Sequence, residues 1–161
     1  MTIDIFNPSM CFANELKGSW ACNIITQSKN KIPIKVVGTE ACLVLEHSGA
    51  DQWFIGCLPV DKQWNGLDIS TYSSLSFNLY SDTDRSCKCH VSFSDINDNE
   101  SHRVLINPGV SHNGSDKVGL HSTNIPVKGF VNDKFDITHT KLVRFLGESN
   151  NAFYLSKITL T

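Results

Sequence analysis

The stretch Ser74-Leu-Ser-Phe-Asn-Leu-Tyr-Ser81 alternates apolar and polar residues over its whole length. Successive side chains of a β-strand point to opposite faces, so Phe77 and its two flanking leucines would face a core. Asn78 and Tyr80 would then face outward. The stretch is therefore typical of a strand with one buried face.

Similar runs recur along the chain about every ten residues, separated by clusters of Gly, Asn, Asp and Ser. They span 31–37, 41–47, 52–60, 74–81, 87–95, 102–107, 120–127, 141–146 and 152–160. No helical period is sustained over ten or more residues, and β-branched and aromatic residues fill the runs. This pattern predicts an all-β, two-sheet antiparallel β-sandwich, formed by a single domain over residues 1–161.

The same alternation predicts where polar side chains gather. In the runs 87–95 and 102–107, which follow 74–81, His90 and Arg103 lie opposite the apolar residues. We therefore expect one sheet to carry Asn78, Tyr80, His90 and Arg103 on a shared polar outer face. Simple solvent exposure explains such a face equally well, because antiparallel sheets commonly leave one face in water.

Composition narrows the function classes. The 161 residues carry a formal net charge of −2, with acids and bases interspersed, so the basic stripe of a nucleic-acid binder is missing. No apolar run approaches the roughly 20 residues that span a bilayer, and no secretory signal is visible at the start. Nucleic acid and membrane are therefore not expected as partners.

The six cysteines lack the spacing of a zinc site, and Cys42 and Cys57 lie within apolar runs. Buried, reduced thiols are the favoured interpretation, with one or two disulfides as the alternative. Reduced thiols weakly favour the cytoplasm, although the sequence leaves the compartment open.

Five segments resemble the jelly-roll carbohydrate-binding modules and their galactose-binding-like relatives, in the order in which that family presents them. They are the stretch from Trp64 through Leu-Asp-Ile-Ser to Asp82, Val91-Ser-Phe-Ser-Asp95, Asn124-Ile-Pro-Val-Lys-Gly-Phe130, Phe135-Asp-Ile-Thr-His-Thr-Lys-Leu-Val-Arg-Phe145 and Phe153-Tyr-Leu-Ser-Lys-Ile-Thr-Leu160. Residues 41–46 and 53–58 fit the preceding strands more loosely. The resemblance covers about three quarters of the chain and implies a jelly-roll fold.

The resemblance also bears on metal binding. Members of this family often hold a structural calcium between an acidic residue near the N-terminus and an aspartate in the closing strand. Asp4 could serve as the first ligand, but Ser156 stands where the aspartate is expected. Because calcium prefers several oxygen ligands that include carboxylates, we expect this site to be weakened or absent, and no other cofactor is predicted.

Sugar binding on this fold needs a flat aromatic surface with polar groups beside it. The resemblance puts Trp53 on the sheet that forms the family's groove, although a core position is the alternative, since Trp53 and Phe54 must face opposite ways. Trp64 would line a rim or cap the core. Arg144 and Tyr154 alternate with apolar neighbours and are further candidates.

The leading hypothesis is a noncatalytic module that binds an oligo- or polysaccharide on its concave sheet, beside a catalytic domain or protein partner. The predicted ligand-binding residues are Trp53, Trp64, Asn78, Tyr80, His90, Arg103, Arg144 and Tyr154. No catalytic residue is predicted, although His90 and His102 could approach each other across adjacent strands. A small-molecule enzyme on the same fold, with cyclase-like chemistry, and a protein-interaction module remain the alternatives.

Overall fold

The structure is a computed structural model that describes residues 1–6, 11–12, 15–16, 24–26, 34–37, 40–45, 52–57, 65–81, 88–106, 119–148 and 153–161. Its strands are β1 (Ile3–Phe6), β2 (Cys11–Phe12), β3 (Glu15–Leu16), β4 (Ile24–Thr26), β5 (Ile34–Val37), β6 (Glu40–Leu45), β7 (Gln52–Cys57), β8 (Ser74–Ser81), β9 (Lys88–Asp95), β10 (Val104–Ile106), β11 (Gly119–Pro126), β12 (Thr140–Glu148) and β13 (Phe153–Leu160). Two short 3-10 helices, Val127–Phe130 and Ile137–His139, connect β11 to β12. The described residues contain no α-helix, and none of their helices is long and apolar enough to cross a membrane.

Two antiparallel sheets form the sandwich. The first sheet has the order β11-β8-β13-β6-β5, and β1 also pairs with β13. The second sheet has the order β10-β9-β12-β7-β4, while β2 and β3 form a separate short hairpin. The consecutive strands β8 and β9 belong to different sheets, as do β12 and β13. The chain therefore crosses between the layers repeatedly, as in a jelly roll.

The core lies between the two sheets and is built from the apolar residues of the alternating runs. Phe77 of the first sheet meets Phe145 of the second edge to face, with ring centroids 5.1 Å apart. Phe93 packs edge to face on Phe130 of the first 3-10 helix at 4.8 Å. These four rings are buried and join the two sheets. Each ring contributes a large apolar area, so they account for much of the stabilisation of the sandwich.

Two similar turns lead into β8 and β12. Asp68 accepts hydrogen bonds from the Ser70 amide at 2.9 Å and its hydroxyl at 2.6 Å. Asp136 accepts the matching pair from Thr138, at 2.9 and 2.6 Å. In both turns the side-chain hydrogen bond, reinforced by the backbone one, lowers the pKa of the carboxyl group.

These two turns also bind to each other. The Leu67 and Thr140 amides donate to each other's carbonyl oxygens at 2.7 and 3.0 Å, and the Ile69 amide donates to the Ile137 carbonyl at 3.1 Å. One turn precedes a strand of the first sheet and the other a strand of the second. The paired turns thus fix the two sheets together at one end of the sandwich.

Each of the nine predicted runs contains a strand, and where the ends are described they differ by up to two residues. Predicted residues 31–33, 46–47, 58–60, 87, 107 and 152 lie outside the described residues. The inward positions Leu75, Phe77 and Leu79 are buried as predicted. Strands β1 to β4 were missed because runs of two to four residues are too short for alternation to be recognised. Cys42 and Cys89 are fully buried, as expected, and the side chains of the other cysteines lie outside what the structure describes.

Candidate functional site

The predicted polar row is split between the two sides of the sandwich. Asn78 and Tyr80 belong to β8 in the first sheet, whereas His90 belongs to β9 in the second. Arg103 lies just before β10, at the edge of the second sheet. The expectation of one shared face was therefore wrong, because the link from β8 to β9 crosses between the layers instead of forming a hairpin.

The outer face of the first sheet carries the predicted residues Asn78, Tyr80 and Tyr154, since Tyr154 is the register partner of Tyr80. Asn78 is half-buried and accepts a hydrogen bond from the Ser122 hydroxyl at 3.0 Å. Tyr154 is only 4% exposed, and its role as a ligand-binding residue stays a prediction. The side chain of Tyr80 and all of Trp64 lie outside the described residues.

The outer face of the second sheet carries a row of cross-strand partners. Leu105 of β10 pairs with His90 of β9, His90 pairs with Leu146 of β12, and Leu146 pairs with Trp53 of β7. Leu105 is 47% exposed and His90 is partly exposed. We call these four positions the outer row.

The backbone register assigns position 53 to one face of the second sheet. Phe54 pairs with Phe145, which is fully buried in the core. Cross-strand partners share a face, so position 54 belongs to the inner face of the sheet. Position 53 therefore belongs to the outer face, together with His90. Its side chain lies outside what the structure describes.

Next to the outer row lies a group of polar side chains around Glu100. Arg103 donates to Glu100 through Nε at 2.8 Å and Nη2 at 3.0 Å, which makes a forked ion pair. The hydroxyl of the buried Ser92 donates to Glu100 Oε1 at 2.7 Å. The hydrogen bond from Arg103 is the main cause of a lowered pKa of Glu100, with contributions from Ser92 and the charge of Arg144. The same bond raises the pKa of Arg103. Both groups are therefore charged at neutral pH.

Arg144 stands beside this group in the centre of the second sheet. It is the register partner of Ser92 on one side and of Ile55 on the other. Arg144 is partly exposed, but its Nε is buried and has no hydrogen-bond partner within the described structure. The hydroxyl of Ser94, two residues along β9 on the same face, is also buried without a partner there. The centre of this face thus holds hydrogen-bonding capacity that the described residues do not use.

Asp95 holds the hairpin that positions Glu100. It is fully buried and accepts four hydrogen bonds: from the Asn97 and Asn99 amides, the Asn99 side chain and the Asp136 amide, at 2.8–3.0 Å. Burial would raise the pKa of Asp95, but these bonds together outweigh it and lower the pKa. Asp95 is therefore a structural carboxylate of this hairpin, withdrawn from solvent.

His90 and His102 do not face each other. The register of the β9–β10 hairpin pairs His90 with Leu105, three residues beyond His102. The backbone amide of His102 donates instead to the Phe130 carbonyl at 2.9 Å. The histidine pair considered from the sequence is therefore wrong. Glu100, which the sequence analysis did not single out, connects to the polar group on this face through Ser92 and Arg103.

Asp4 of β1 is exposed and pairs with Thr159 of β13. Ser156 is fully buried, and a register shift separates it from Thr159. Within the described ranges, no cluster of three or more His, Cys, Asp or Glu side chains is arranged to hold a metal ion. The weakened calcium site stays a prediction.

No family model matches the chain, and no curated protein matches it in sequence. Solved structures do match. The family 30 carbohydrate-binding module of a cellulosomal cellulase of Clostridium thermocellum is 16% identical with a TM-score of 0.60, over 100% of this chain and 97% of that one. The family 11 module from the same organism, in complex with a β-1,3-1,4-mixed-linked tetrasaccharide, is 16% identical with a TM-score of 0.54, over 89% and 90%.

A β-1,2-glucanase from Parabacteroides distasonis is also similar, at 15% identity and a TM-score of 0.61. The match covers 98% of this chain but 24% of the glucanase, so it concerns one part of that enzyme. At these identities the likeness concerns the fold. The chain has the jelly-roll β-sandwich fold of carbohydrate-binding modules.

Proposed function

We propose that this protein is a noncatalytic carbohydrate-binding module that binds an oligo- or polysaccharide on the outer face of its second sheet. The observation that carries the proposal is the combination on that face of the outer row, which includes Trp53, with the guanidinium groups of Arg103 and Arg144. A sugar-binding surface needs this pairing of an apolar platform with fixed polar groups. The solved modules of the same fold add weight to the proposal.

The outer row is long enough to contact several sugar rings of an extended glycan. It crosses four neighbouring strands at about 4.8 Å each, which gives a platform about 14 Å long. Leu105 supplies exposed apolar surface at one end, and Trp53 occupies the other end. A chain of sugar rings lying along this row would cover apolar ring faces with apolar side chains. The row therefore favours a linear glycan over a single small molecule.

The polar group would supply orientation. Arg103 is held by its fork to Glu100, so it loses little further freedom when a ligand binds. Arg144 lies one strand away from Ser92, within the electrostatic reach of Glu100. A planar guanidinium can donate two parallel hydrogen bonds to neighbouring hydroxyl groups. We expect these two arginines to select the position and direction of the glycan.

The test is a glycan array followed by calorimetry on the best glycan. Trp53→Ala should lower affinity more than tenfold while the melting temperature stays near that of the parent, since a core Trp→Ala would cost about 3–5 kcal/mol of stability. Arg144→Ala should weaken binding by about 1–3 kcal/mol, the penalty for an unpaired ligand group. Lys134→Ala, which removes an exposed cation that lies outside the strands of both sheets, is the matched control.

The outcomes separate the alternatives. Unfolding of Trp53→Ala together with normal binding by Arg144→Ala would refute the proposed face. Absence of binding to every glycan on the array would refute the glycan module and return attention to an enzyme or a protein-interaction module. If the proposal holds, we expect the protein to act beside a glycan-active catalytic domain or protein.

A further inference from the structure

The opposite side of the sandwich carries a second polar surface that the proposed function does not use. An open groove of about 550 Å³ lies on the outer face of the first sheet. Its lining includes Asp4, Ser76, Asn78, Ser122, Asn124 and Lys157. Most of these side chains are short, so the strands lie close to the surface and leave a depression. We call this surface the first-sheet groove.

Its polar groups form a regular row. Asn124 of β11 pairs with Ser76 of β8, Ser76 with Thr159 of β13, and Thr159 with Asp4 of β1. The row thus crosses four strands, about 14 Å at the usual strand spacing. A second row, displaced from the first by two residues on each strand, contains Ser122 of β11 and its partner Asn78 of β8. The spacing of the groups is therefore set by the sheet itself.

The hydrogen bonds within these rows use only part of the donors and acceptors, and the remaining ones alternate along the groove. The Asn124 amide nitrogen donates to Ser76 Oγ at 3.0 Å, which leaves the Ser76 hydroxyl hydrogen to donate outward. The Asn124 side-chain oxygen remains an acceptor. The Ser122 hydroxyl donates to Asn78 Oδ1 at 3.0 Å and keeps its own lone pairs. A sugar hydroxyl both donates and accepts, so adjacent hydroxyls match such an alternation.

A backbone irregularity brings a cation to the same groove. Lys157 has φ of +50°, in the left-handed region that favours glycine, and the register of β13 shifts between Ser156 and Thr159. β1 is irregular at the adjacent position, between Asp4 and Phe6. Bulges of this kind re-aim side chains and often lie beside functional sites. The exposed Lys157 is thereby directed to the groove lining, where Asp4 also lies.

We propose that the first-sheet groove is a second carbohydrate site, which holds the hydroxyl groups of a separate glycan segment through hydrogen bonds. This inference rests on the proposed function, since it assigns the same ligand class to a second face. The two faces look in opposite directions, so one molecule would bind two glycan strands at once. The protein would then bridge polysaccharide chains as well as attach to one.

The test is a titration of ¹⁵N-labelled protein with cellohexaose, followed by the amide resonances of both sheets. Two groups of resonances should shift, one around Ser76 and Asn124 and one around His90 and Arg144. Asn124→Ala should weaken the first-sheet response about three- to tenfold, as expected for loss of one hydrogen bond, and leave the second-sheet response unchanged. Lys134→Ala should change neither response.

Lys157→Gly separates a binding role from a structural one. Glycine adopts the left-handed conformation readily, so the variant should keep or raise the melting temperature while first-sheet binding weakens. Unchanged first-sheet binding in both Lys157→Gly and Asn124→Ala would overturn the inference. So would a titration in which only second-sheet resonances shift, and in that case the proposed function would stand. Shifts in the first sheet alone would support the inference and refute the second-sheet face.

Discussion

Replacing the buried carboxylate of Asp95 tests how the edge of the second sheet is held in place. In Asp95→Asn the volume is kept, and one oxygen can still accept the Asn97 and Asn99 amides. The new amide group, however, faces the two donors now bound by Oδ2, which are the Asn99 side chain and the Asp136 amide, each at 3.0 Å. Two hydrogen bonds to a charged acceptor are lost, worth about 1.5–3 kcal/mol each, so we expect the free energy of unfolding to fall by about 3–6 kcal/mol.

The assays are urea unfolding at pH 7, which measures the free energy of unfolding, and thermal unfolding, both followed by tryptophan fluorescence. A loss of this size would lower the melting temperature by roughly 6–24 °C in a chain of this length. Asp98→Asn is the matched control, because the Asp98 side chain is exposed and its one described contact is with the Lys141 ammonium group at 2.6 Å. An exposed ion pair contributes about 0–1 kcal/mol. If Asp95→Asn lowers the free energy of unfolding no more than Asp98→Asn does, Asp95 does not anchor this hairpin and the reasoning is refuted.

Three further predictions follow from packing, titration and burial. Gly66→Ala should lower the melting temperature strongly, because φ is +78° and a Cβ would lie 2.5 Å from the backbone of the facing turn. Gly129→Ala, which has open space around it, should leave the melting temperature nearly unchanged. Asp136 has a lower pKa in the folded state than the value of about 3.9 in the unfolded chain. The carboxylate therefore contributes fully to the free energy of unfolding above about pH 3.9, and this contribution is lost as the pH falls through the folded-state pKa. Asp136→Asn should therefore be less stable than the parent at pH 7 and should approach it at pH 2–3; a difference that persists there contradicts this. Cys42 and Cys89 are fully buried, so they should resist a thiol reagent in the native protein, and rapid native labelling of either would contradict their burial.

The sequence was sufficient for features that depend on neighbouring residues. Alternation is local, so it predicted the long strands and the inward side of Phe77 correctly. Which strands become neighbours depends on contacts far apart in sequence, and alternation carries no information about them. For that reason Asn78 and His90 were assigned to one face although they lie on opposite faces. The role of Glu100 was missed for the same reason, since its contact to Ser92 exists only once the hairpin is formed.

The paired turns at 67–70 and 136–140 have a consequence for the order of folding events. Leu67 and Thr140 are 73 positions apart (140 − 67), so their contact closes a long loop. Closing the loop costs conformational entropy before the packing of the two sheets stabilises the fold. Contacts of such separation slow folding. Because this contact aligns a strand of each sheet, we expect it to be formed in the transition state. Gly66→Ala, next to Leu67, should then slow refolding in stopped-flow experiments and leave the unfolding rate nearly unchanged.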